Sequence, residues 1–374
     1  MKPLRPLVPV DATHVRDGGR LLWHASGCNY LGLLDHPQVR AACATATAHG
    51  PLHPGASRAT TGEHALYLRA ERALARFLGL KTALLLPSGY MASLVAMQSM
   101  TALATHVALH PDAHSCLRDG TRLSGLRGIR GWDGTPAGLR RAVARLPATS
   151  RVVLALDGVA PAAGHVADLP AFLAALPPMG WLMVDDAHGV GVLGRRGGGS
   201  IEHHGIRDPR VVVTGSLSKA MGVHGGFVAG PEAVIASARG APVFVGTTSP
   251  PLSMPAGLMA VLGILRHEPG RVRALQERAA WLHRQLAGVP GVCSDPSSPV
   301  VALHLPDKAT ARRLGAALSR AGILPSFIRY PSGPRDGFFR FAASAMHEWS
   351  DLGRLAAVIR GAAGPGRLDG GGDA

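Results

Sequence analysis

The sequence predicts an α/β protein, with a large domain built on a mostly parallel central sheet and a smaller C-terminal α+β domain. Three observations carry that prediction. The chain has 374 residues, more than a single hydrophobic core usually accommodates, so two lobes are expected. Short, continuous apolar runs recur between turn residues, and helical segments alternate with them as the crossover connections of a parallel sheet require.

The runs are 83–86 (ALLL), 106–109 (HVAL), 151–156 (RVVLAL), 181–184 (WLMV) and 211–214 (VVVT). They are too short and too uniformly apolar for amphipathic helices and read as strands buried on both faces. Helical segments are expected at 91–102 and 136–146. Residues 252–288 show long helical periodicity broken at Glu268-Pro269-Gly270, and lead from the large lobe to the small one. Strands at 299–304, 322–328 and 338–342 around a helical 308–321 then suggest the compact second lobe. The expected organisation is an N-terminal arm at 1–28, a large domain at 29–260, a small domain at 261–360 that takes in the arm, and a flexible Gly-rich tail at 361–374.

Hydrophobic residues make up 47% and charged residues 17%, as in a buried globular core and unlike a disordered chain. A net charge of +15 raises nucleic-acid binding. The arginines, however, are scattered through helix-like stretches such as 69–76 and 311–320, and aromatics are only 5%, so no nucleic-acid partner is expected. The thiols Cys28, Cys43, Cys116 and Cys293 form no C-x-x-C pair and no zinc spacing, so neither a metal site nor a disulfide framework is expected. With no signal-like N-terminus and no long apolar run, the protein is expected to be cytoplasmic, without a membrane span.

Only Lys2, Lys81, Lys219 and Lys308 occur beside abundant arginine. Forming an imine with an aldehyde is one task arginine cannot perform. Lys219 stands in Gly215-Ser216-Leu217-Ser218-Lys219-Ala220-Met221-Gly222, after the run VVVT. The preceding run, WLMV, leads into Asp185-Asp186-Ala187-His188-Gly189, placing a carboxylate where open α/β sheets bind ligands. Together these suit pyridoxal 5′-phosphate (PLP): the lysine as its attachment and the acid as the partner of its pyridine nitrogen. Taken alone, Asp185 or Asp186 also fits a helix cap, and Lys219 a surface loop. Ser88-Gly89-Tyr90, between a strand and a helix, forms an anion site at a helix N-terminus or an ordinary cap. His114 follows the run HVAL and can lie flat on a ring.

NYLGL (29–33), GASR (55–58), SGY (88–90), HS (114–115), VDDAHG (184–189), GSLSKAMG (215–222) and TTS (247–249) stand in an order that resembles the α-oxoamine synthases, over roughly 30–350. These are PLP enzymes of fold type I, and DDAHG with GRRGGGSIEHHG is most similar to the 8-amino-7-oxononanoate synthase branch. The resemblance implies the PLP-dependent transferase fold and the Schiff base at Lys219. It implies the ring-nitrogen contact at Asp185, the ring O3′ contact at His188 and stacking by His114. Ser88, Gly89, Tyr90 and Ser216 fall on the phosphate side. Thr248 and Ser249 match a segment that reaches the phosphate of a neighbouring subunit, which implies a homodimer with shared active sites. Arg340 matches the substrate-carboxylate arginine, with Asn29 and Arg58 as further candidates for that pocket.

The implied reaction is a decarboxylative condensation of glycine, alanine or serine with an acyl thioester, carried by CoA or a carrier protein, to an α-amino ketone. Several positions depart from the family pattern: Asp157 stands for Glu, Pro161 for Ser, Ala163 and His165 for Asp, His110 for Asp, and Phe338 for the first Arg of R-x-R. They leave the attachment lysine and the acid intact and suggest an unusual acyl donor in a specialised pathway, with the basic surface suiting an acidic carrier. Another fold-type-I reaction, amino transfer or side-chain cleavage, would use the same lysine and acid. A non-catalytic binding relative is the alternative from another class.

Overall fold

The computed structural model describes residues 6–329 and 336–363. The seven-stranded sheet contains β4 (Thr82–Leu86), β5 (His106–Leu109), β6 (Arg127–Gly128), β7 (Val152–Asp157), β8 (Trp181–Asp185), β9 (Val211–Ser216) and β10 (Gly226–Gly230), after an N-terminal hairpin sheet of β1 (Leu7–Pro9), β2 (His14–Asp17) and β3 (Arg20–Trp23). Its order is β4-β10-β9-β8-β7-β5-β6. All neighbours are parallel except β10, which pairs antiparallel with both β4 and β9. The second lobe carries an antiparallel sheet, β11-β12-β14-β13, made of β11 (Val292–Ser294), β12 (Val300–Leu303), β13 (Phe327–Ile328) and β14 (Phe338–Ala342).

The helices are α1 (Pro37–Ala48), α2 (Ala65–Leu78), α3 (Gly89–Ser99), α4 (Ser115–Ser124), α5 (Pro136–Val143), α6 (Leu169–Ala175), α7 (Ser200–His203), α8 (Glu232–Arg239), α9 (Pro242–Val245), α10 (Ser253–His267), α11 (Gly270–Leu286), α12 (Lys308–Arg320) and α13 (Trp349–Ala363). Helices of the large lobe cover both faces of its sheet, and α12 and α13 pack with the small sheet. One core gathers Leu74, Leu154, Val184, Val213 and Leu258, and the other Val95, Met97, Val153, Met183 and Val212. Successive residues of β7, β8 and β9 thus point to opposite cores, so both faces are buried, as their continuous apolar runs require.

Each expected strand of the large sheet forms. The expected helix at 91–102 is α3 followed by a tighter turn at Met100–Ala102, and that at 136–146 ends at Val143. The predicted strand 322–328 shrinks to Phe327–Ile328, with Ile323 making one parallel bridge to Trp23. Trp23 also donates its N–H to Gly322 O (2.9 Å), so the N-terminal hairpin sheet is tied to the second lobe. The break at 268–270 separates α10 from α11, and α10 runs unbroken across residue 260. Residues 361–363 complete α13, and the remainder of the predicted tail lies outside the described residues. Among the described residues no helix is long and apolar enough to cross a membrane.

Candidate active site

The carboxyl ends of β7, β8 and β9 bring Asp157, Asp185 and Thr214 side by side, because the register pairs Asp157 with Asp185 and Asp185 with Thr214. Asp185 is buried and meets three donors: Ser93 Oγ at 2.8 Å, Cys116 Sγ at 3.2 Å and the Ala187 N–H at 3.1 Å. Ser93 comes from the second turn of α3 and Cys116 from the first turn of α4, so two helices converge on one acid.

Asp157 accepts the backbone N–H of His114 (2.8 Å) and so fixes the start of α4. Burial, reinforced by the neighbouring Asp185, pushes the Asp157 carboxyl well above its usual range. His114 caps α4 through Nδ1, which accepts the Cys116 N–H (3.3 Å) and lies 2.9 Å from Cys116 Sγ. Burial lowers its basicity; Asp185 opposes that shift and Lys219 adds to it. His188 is held neutral first by burial and then by the charges of Lys219, Arg340 and His114. Lys219 thus acts on both histidines, Asp185 on His114, and Arg340 on His188.

Ser88 caps α3 by accepting the Met91 N–H (3.2 Å). Gly89 is required by the close approach of two loops, since a Cβ there would lie 2.8 Å from Ser216 Cβ. That approach sets the N-terminus of α3 beside Ser216, whose hydroxyl is 2.7 Å from that of Ser218. Amide and hydroxyl donors at a helix start suit a phosphate. Tyr90 is exposed and bonds to Asp119 through its hydroxyl, with its ring edge-on to His114 at 6.2 Å.

Arg340, on β14, is buried and donates from Nε to Pro161 O (2.9 Å) and from Nη2 to Tyr30 Oη (3.3 Å). The Pro161 contact uses its backbone carbonyl, which any residue at that position would offer. Tyr30 Oη is also 2.8 Å from His188 Nδ1. Phe338, two residues earlier on β14, stacks on His304 at 5.2 Å, so an aromatic ring stands where the pattern has an arginine. His110 packs edge-on against Trp132 and Phe172, and His165 is exposed.

Two of the expected carboxylate-pocket residues are otherwise engaged. The Arg58 guanidinium bonds Glu63 (2.9 and 3.0 Å), Glu71 (2.7 Å) and Leu85 O (3.0 Å), and lies over the Tyr67 ring at 4.4 Å. These bonds tie its guanidinium into the scaffold. Asn29 Oδ1 accepts the Leu33 N–H (3.0 Å) and shapes a turn. Ser249 is buried and bonds to Ala56 O, whereas Thr248 is exposed. Sequence reasoning missed Tyr30, Ser93 and Cys116. Tyr30 stood inside the quoted NYLGL, and Ser93 lies about one turn beyond the Ser88-Gly89 helix start, facing the sheet.

An acid set at a strand end among donors, a lysine after the neighbouring strand, a helix start flanked by hydroxyls and a buried arginine are the kinds of group that PLP needs. The fold and the site define a PLP-dependent transferase of fold type I. The aminotransferase class I and II family matches residues 28–359, and the chain belongs to it. It is 37% identical to an 8-amino-7-oxononanoate synthase of Pseudomonas putida over 356 residues, covering 92% of this chain and 89% of that protein. The homonymous enzyme of Maricaulis maris is 34% identical over 360 residues, covering 94% and 89%. The Sphingomonas wittichii serine palmitoyltransferase superposes with a TM-score of 0.88 at 26% identity, covering 96% of this chain and 91% of that one. A further serine palmitoyltransferase structure that contains PLP is 25% identical with a TM-score of 0.88, covering 96% and 92%. Within its family the chain is thus an α-oxoamine synthase type of PLP-dependent acyltransferase.

Proposed function

We infer that this protein condenses a small amino acid, glycine, alanine or serine, with an acyl thioester, releasing the thiol and CO2 and giving an α-amino ketone. The observation that carries the reading is Asp185, buried under three donors at the end of β8. When bound, PLP supplies an electron sink for the pair left on the α-carbon as its proton departs. The Lys219 amine holds the cofactor and then moves that proton. Asp185 would keep a proton on the ring nitrogen and His188 would bond the ring oxygen. His114, fixed by Asp157, would stack on the ring, and Ser88, Gly89, Tyr90 and Ser216 would hold the phosphate. The Arg340 fork binds the substrate carboxylate.

Thr248 is exposed on a segment suited to reach a second copy's phosphate, which supports a homodimer with shared sites. The acyl carrier is CoA or a carrier protein, and the compartment the cytoplasm. The test is to load the protein with PLP, reduce it with borohydride and map the modified peptide, then supply each amino acid with a panel of acyl thioesters. Modification at Lys219, loss of the visible PLP band in Lys219→Ala, thiol release and an amino-ketone product mass are expected. An unmodified Lys219 in cofactor-saturated protein would sink the reading.

A further inference from the structure

The geometry points to Tyr30 as a positioning residue that links the carboxylate-binding Arg340 to the imidazole of His188 and fixes which nitrogen of that imidazole carries the proton. The inference deepens the function proposed above and rests on it.

Tyr30 is fully buried, two residues beyond Cys28, with its hydroxyl between two groups from distant parts of the chain. Arg340 Nη2 lies 3.3 Å away on one side and His188 Nδ1 2.8 Å away on the other. An arginine can only donate, so the Tyr30 oxygen accepts from it. The hydroxyl then has one proton and two possible acceptors, His188 Nδ1 at 2.8 Å and Cys28 Sγ at 3.8 Å. The imidazole nitrogen is both nearer and the stronger acceptor, so the proton points at His188. Nδ1 is therefore unprotonated and Nε2 carries the hydrogen.

Burial supports this arrangement from both ends. It raises the Tyr30 hydroxyl above its ordinary range, so the phenol keeps its proton, and it keeps His188 neutral. The charged and titratable groups facing the pair are Cys28 and Arg340 at Tyr30, and Lys219, Arg340 and His114 at His188. A directional chain results: Arg340 donates to Tyr30, Tyr30 donates to His188, and His188 presents Nε2–H to what it faces. A carboxylate arriving at Arg340 draws on the same guanidinium that polarises the phenol. The chain thereby couples amino-acid binding to the hydrogen bond that His188 makes.

The test uses PLP-loaded wild-type protein, Tyr30→Phe, His188→Gln and the double variant. Glutamine keeps a donor near the Nε2 position and lacks the Nδ1 acceptor. Tyr30→Phe should shift the pH midpoint of the visible cofactor band and raise the amino-acid KM by about tenfold. The acyl-thioester KM and the melting temperature should change little. In the His188→Gln background, Tyr30→Phe should add no further spectral shift, because its effect passes through His188. A wild-type spectrum and amino-acid KM in Tyr30→Phe would overturn the relay. An equal spectral shift in both backgrounds would overturn it too. Failure of the cofactor reading itself shows differently: the wild-type protein would then develop no visible band with PLP.

Discussion

Two adjacent acids in the sequence, Asp185 and Asp186, sit in different surroundings. Asp185 has three donors, whereas Asp186 accepts only the Ser200 N–H (2.8 Å) through Oδ2, and its Oδ1 and the Ser200 hydroxyl have no partner. Burial raises the Asp186 carboxyl from its ordinary 3.8 to about 7. Between those values the folded protein holds a proton that the unfolded chain has lost, so stability falls as pH rises from about 4 to about 7, by up to about 1.4 kcal/mol per unit. His347 works in the other direction. Burial lowers it from 6.5 to about 4, so its contribution is lost as pH falls through that window. Asp186→Asn keeps the shape and removes only the first effect. Urea titrations from pH 4 to 7 should therefore show the variant gaining relative to wild type as pH rises. Parallel stability curves would mean that Asp186 is ionised in the folded state.

At the scale of elements, the site depends on how α2, β4 and α8 are braced. Glu71 of α2 accepts the Leu85 N–H (2.8 Å), Arg58 (2.7 Å) and Arg239 of α8 (3.1 Å), nearly out of contact with water. Removing one partner of a buried pair leaves an uncompensated charge, so Arg58→Met should cost roughly 3 kcal/mol of stability. Chemical denaturation reads that loss, and an unchanged stability with a raised amino-acid KM would return Arg58 to the substrate pocket. The sequence could not show this commitment, because Glu63 and Glu71 look like ordinary solvated helix-start and helix charges until the fold closes over them. Continuous runs such as VVVT were legible as strands because burial on both faces leaves no alternation. The antiparallel setting of β10 was not, since direction is a property of the connection and not of GFVAG. Lys219 and Asp185 were legible through their place after strands. Ser93 and Cys116 were not, because they act on an acid 92 and 69 residues away.

At the scale of the whole molecule, two exposed aliphatic side chains stand beside the segment proposed to reach a second copy. Leu52 is 67% and Val245 41% exposed, unusual for large aliphatics in so apolar a chain. They belong to one structural unit: Leu252 donates its N–H to Leu52 O (2.9 Å), Ser57 donates to Val245 O (2.7 Å), and Ser249 anchors on Ala56 O. Thr248 projects from this unit into solvent. If a second copy covers it, the apolar pair is removed from water and Thr248 is carried to the neighbour's phosphate side. Placing a charge at both positions, Leu52→Asp with Val245→Asp, makes that burial unfavourable without touching a residue of the chain's own cofactor cradle. Sedimentation should then show a shift from dimer to monomer at concentrations where the wild type stays paired. The monomer should release PLP more readily on dilution, because each site loses the partner's contribution. A variant that remains dimeric, or a monomeric one that holds PLP as tightly as wild type, would remove Thr248 from the cofactor site.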